Sequence, residues 1–206
     1  MEFRGPAGTD LENVRALNER YLELRRRQPG DPLAGIGHAA GERLAASPFL
    51  LFSLREHEVA RWERLFAAGH QIELRGPGAD GQESARQLRV AAVSVLWQLA
   101  RRNPFAARLI TGAQPAWCAR LAETTLVGLI TRVSDAVDLL APRFSDADPV
   151  WSRLVNAAGS PDRDLRRAVR LAALQDILTR GATPDRTQLA AAACRMRPAS
   201  ATLRSP

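Results

Sequence analysis

SARQLRVAAVSVLWQLARR, residues 84–102, sets Leu88, Ala92, Val95, Leu96 and Leu99 at steps of three and four. That spacing lines one face of an α-helix, whereas in a strand it would scatter the same side chains over both faces. The rhythm continues on either side. Within 10–27, Leu11, Val14, Leu17, Tyr21 and Leu24 recur in the same way. They predict a helix with Asp10 as its N-cap and an exposed face bearing Arg15, Arg20 and Arg25. Gln28-Pro29-Gly30-Asp31-Pro32 stops it. A short helix is expected over 36–46. Ser47-Pro48 reads as the cap of another, ahead of the apolar run Phe49, Leu50, Leu51, Phe52 and Leu54. From 56 to 68 the helical spacing resumes, with Val59, Trp62, Leu65 and Phe66 on one side.

Beyond residue 102, Asn103-Pro104 interrupts the pattern. Helices are expected over 105–110, closed by Gly112, and over 115–122. Further ones are expected over 125–140, ended by Pro142, then 149–158, 162–178 and an Ala-rich 184–194. No period-two run is long enough for a strand. The fold class is therefore all-α: a compact bundle of eight to ten helices with almost no β-structure and a disordered tail over 197–206. The Gly-, Pro- and Asp-rich stretch 69–81 divides an N-terminal helical region, 1–80, from a C-terminal one, 81–196. A single domain over 8–196 is the alternative.

The chain has 206 residues, of which 46% are hydrophobic and 25% charged, too apolar for wholesale disorder. Its 29 basic residues are all arginine. Residues 1–150 are nearly neutral, and the excess positive charge falls in 151–206. Such a region suits phosphate, because arginines release its counterions, but a solvated arginine-rich helix has the same composition. Cys118 and Cys194 make no disulfide framework and read as small buried hydrophobes. No apolar run approaches the ~20 residues of a membrane span, and no signal-peptide core opens the chain. A soluble, cytoplasmic protein is expected.

Catalytic patterns fail on spacing. His57-Glu58 begins a zincin motif, but Arg61 stands where the second histidine belongs. The remaining histidines, His38 and His70, complete no zinc pattern. Gly35, Gly37 and Gly41 follow no expected strand, which argues against a phosphate loop. No catalytic residue, cofactor or metal is expected. Trp62, Trp97, Trp117 and Trp151 lie in helical apolar patterns and read as core anchors. Helix, Gly112, short turn and helix over 105–121 is the build of a helix-turn-helix unit, though many helical hairpins that bind no DNA share it.

GAQPAWCARLAETTL, residues 112–126, places Gly112, Leu121-Ala122 and Thr125-Leu126 at the spacing of the flagellar transcriptional regulator FlhD family. The likeness runs without a gap to Arg143-Phe144-x-Asp146, and Leu99 and Ala107 fit ahead of it. Residues 96–154 thus resemble that family. The chain is nearly twice the family's length, and Leu140 stands where the family tends to carry the cysteine that links its dimer. The resemblance implies an all-α, dimer-forming, non-enzymatic regulator that works with a partner subunit on promoter DNA. It transfers no DNA-contacting residue. Arg108, Trp117 and Arg120 flank the turn and are candidates, and the basic helix supplies Arg163, Arg166, Arg167 and Arg170 independently. The competing reading is a helical adaptor that binds proteins, with Phe49–Leu54 as its docking surface, although core packing is the stronger expectation for that run. An enzyme would need the three histidines to converge with carboxylates in a pocket.

Overall fold

The structure, a computed structural model, describes residues 5–67 and 80–182. They form nine α-helices: α1 (Gly8–Arg26), α2 (His38–Ala45), α3 (Val59–Ala67), α4 (Asp80–Arg102), α5 (Pro104–Thr111), α6 (Pro115–Glu123), α7 (Leu126–Asp135), α8 (Pro149–Gly159) and α9 (Arg163–Ala182). The all-α expectation holds. The expected helix over 184–194 and the tail over 197–206 lie outside the described residues.

α4 runs through the middle and touches α1, α5, α6 and α7, while α8 sits between α2 and α9. One apolar core takes residues from both regions, including Val14, Leu17, Phe49 and Trp62 from the first and Leu88, Leu96, Ile110 and Leu129 from the second. Local chemistry fixes the boundaries. Asn103 caps α5 by accepting from the Ala106 N–H at 3.0 Å, and Asp148 caps α8 by accepting from Val150 at 2.8 Å. Gly112 closes α5 with φ +72°, and Pro115 opens α6. Cys118 is buried, and burial pushes its thiol up to about 11.

Several expectations need correction. Asp10 is not the N-cap of α1; it is the third helical residue, and its carboxylate reaches back to accept from the Ala7 N–H at 2.8 Å. Arg25 is not exposed. It pairs with the buried Asp31 carboxylate at 2.5 Å and with the half-exposed Asp146 at 2.8 Å. The helix expected over 125–140 ends at Asp135, and a single 3-10 turn over Val137–Leu139 follows. Val59 is exposed.

The largest departure is Ser47–Leu54. No helix begins at Pro48. Two residues there, Phe52–Ser53 (β1), pair antiparallel with Ala141–Pro142 (β2). Side chains satisfy the backbone that a helix would have satisfied. The buried Asn18 amide donates to Ala45 O at 3.1 Å and Phe49 O at 2.9 Å, and its oxygen accepts from Leu51 N–H at 2.9 Å. Arg143 donates to Leu50 O at 2.7 Å, Phe52 O at 2.8 Å and Thr111 O at 2.5 Å, and pairs with buried Glu56 at 2.8 Å. Phe49, Leu50, Leu51, Phe52 and Leu54 are all buried, so this run is core and offers no docking surface.

Candidate nucleic-acid interface

α9 opens on Asp162, whose side chain accepts from the Asp164 and Leu165 N–H groups at 2.8 and 3.1 Å. From there Arg163, Arg166, Arg167 and Arg170 follow at steps of three and four, so they share one stripe of the helix. The stripe meets Arg15 of α1 and Arg43 of α2 across a groove of about 600 Å³. Ala46, Pro48 and Leu171 complete its walls, and Glu42 is the one carboxylate among its lining residues. Six arginines from three helices thus line the groove beside one acid, and Glu19 pairs with Arg15 at its edge.

The six are not equivalent. Arg43 donates to Ala158 O at 3.2 Å, Arg166 donates to Ser160 O at 2.7 Å, and Arg170 donates to Arg43 O. These three are half-buried. Burial, then the neighbouring Arg166 charge, holds the Arg170 guanidinium below its ordinary range. Arg163 and Arg167 are exposed with no ion-pair partner among the described residues, and Arg15 pairs with Glu19 at 2.8 Å.

The four α9 arginines expected as contacts are therefore brought together. Arg108, Trp117 and Arg120 do not line this groove. Trp117 is only 6% exposed and packs edge-on against Trp62, with ring centroids 5.0 Å apart. Arg120 lies over the Phe66 ring at 5.4 Å and approaches Glu63 at 3.6 Å. Arg108 is half-buried on α5. The turn between α5 and α6 is itself covered: a Cβ on Gly112 would collide with Ile177 of α9.

Arg15 and Arg43 are the groove residues that sequence reasoning missed. Arg15 shows in the sequence only as part of a polar helix face, and nothing in α2 marks Arg43. Their role comes from tertiary packing of α2 on α8 and α8 on α9. His57 lies on a second cavity, of about 530 Å³, beside the Glu56–Arg143 pair. His38 stands apart on α2, against Glu42 at 3.6 Å, and His70 is outside the described residues. Among the described residues no group of three or more His, Cys, Asp or Glu side chains is placed to hold a metal, and no helix is long and apolar enough to cross a membrane. Compared with known proteins, the chain matches no family model, no curated protein and no solved structure.

Proposed function

We propose that this chain is a non-enzymatic transcriptional regulator that contacts DNA through the arginine groove between α9, α2 and α1. The observation that carries the reading is the convergence of Arg15, Arg43, Arg163, Arg166, Arg167 and Arg170 on one concave surface with a single carboxylate. Arginines so placed attract phosphate and gain affinity by releasing its counterions. The groove lining contains no aromatic ring and no Asn or Gln. It is therefore suited to backbone phosphates and not to stacking on unpaired bases. A partner subunit and dimerisation, which the FlhD resemblance implies, would extend the contact along promoter DNA.

Fluorescence anisotropy with a labelled duplex tests this across a salt series. If most of the six arginines engage phosphates, log K falls against log salt with a slope of about −5. The R163Q/R167Q double variant is expected to flatten that slope by about two. Absence of binding at about 50 mM salt, with and without a co-encoded partner, overturns the reading.

A further inference from the structure

Inside the groove, Arg43, Arg166 and Arg170 are set apart by how they are held. The same three line a second, much smaller void behind the groove, against Leu44, Leu154 and Val169. Their hydrogen bonds go to carbonyls at helix ends: Ala158 and Ser160 at the C-terminus of α8, and Arg43 in the last turn of α2. Those oxygens fix each guanidinium and carry the partial negative charge of a helix terminus, yet none is a counterion.

Three other buried or half-buried arginines are neutralised by carboxylates. Arg25 has Asp31 and Asp146, Arg143 has Glu56, and Arg61 has Glu58 and Asp138. Arg89 stands alone and gives its donors to Val133, Ser134 and Val137 carbonyls. Only at Arg43, Arg166 and Arg170 do three like charges share a partly desolvated place with no carboxylate partner among the described residues. Crowding like charges away from water is unfavourable until an anion joins them.

We infer that Arg43, Arg166 and Arg170 form a preformed site for a tetrahedral phosphate oxyanion, with Arg15, Arg163 and Arg167 as an adjustable rim. The inference rests on the proposed function for its natural occupant: a backbone phosphate of DNA, seated on the rigid trio while the rim follows the neighbouring phosphates. The site itself follows from the geometry and would serve a free phosphoester equally well.

Thermal unfolding of the full chain, with inorganic phosphate replacing chloride at matched ionic strength, tests the site. Phosphate should raise the melting temperature by several degrees, in proportion to the logarithm of its concentration once the site is filled. R20Q, at an exposed arginine outside the groove, should keep that increment. R170Q and the charge-preserving R166K should lose most of it, because lysine lacks the guanidinium fork that can hold a carbonyl and an oxyanion together. The increment, not the absolute melting temperature, is the readout, so a destabilised variant remains informative. A trio-dependent increment without DNA binding upholds the site, replaces its occupant with a free phosphoester and sinks the DNA reading. No increment, or one equal in all variants, overturns the site even where salt-sensitive DNA binding persists.

Discussion

Asn18 commits both amide hydrogens and its oxygen to the backbone of Ala45, Phe49 and Leu51. Removing them leaves three buried groups without partners, so Asn18→Ala is expected to lower stability by roughly 3 kcal/mol or more in urea unfolding. The two edge-to-face tryptophans make a sharper comparison. Trp62 donates its indole N–H to Leu54 O at 3.0 Å, whereas the Trp117 N–H is buried without an acceptor. Both lose aromatic area as phenylalanine, but only W62F orphans a carbonyl. W117F should therefore be the milder substitution by about 1 kcal/mol, and equal losses in denaturant titrations would contradict that. Neither residue's role as a polar partner is visible in the sequence. Asn18 reads as one more polar helix residue, and Arg143 only as part of a family resemblance, because the carbonyls they hold lie 31 and 93 positions away.

At the level of elements, the sequence is legible where the signal is local. Asn103-Pro104, Gly112, Pro115, Thr125 and Asp148-Pro149 all bound helices where cap and proline chemistry places them. It misleads at Ser47-Pro48. The same dipeptide chemistry serves a helix start or an extended turn, and the tertiary bonds from Asn18 and Arg143 decide which. The join of α5 and α6 offers a strong test. Gly112→Ala places a side chain at φ +72°, where an L-residue is strained, and drives a methyl into Ile177. A loss of roughly 2 kcal/mol or more is expected, and I177A in the same chain should recover part of it. Full additivity of the two losses would show that contact with α9 is not what penalises the methyl.

For the whole molecule, charge placement governs the response to acid. Burial tends to raise Glu58, yet hydrogen bonds from Arg55 and Arg61 outweigh it and hold its carboxyl below the ordinary range. The Arg61 hydrogen bond does the same for Asp138, and at Asp148 bonds from Arg180 and the Val150 N–H overcome burial. Each folded-state value lies below the unfolded one, so this stabilisation is complete above about pH 4 to 5 and lost as pH falls through the carboxylate range. Urea midpoints measured from pH 6 to pH 3 should drop, and R61Q/R180Q should flatten the drop. A pH-independent midpoint in the parent chain would contradict the assignment. The candidate site was half legible at this scale: the α9 stripe is periodic in the sequence, while its opposing wall belongs to α1 and α2. Arg170 and the carbonyl it grips are 127 positions apart. At ribosomal speeds of about 5–20 residues per second, α2 emerges on the order of ten seconds before α9 can close the groove. On the proposed function, a nascent chain lacks the α9 wall of its anion site throughout that interval, and the site is complete only once translation has passed the last arginine of the stripe.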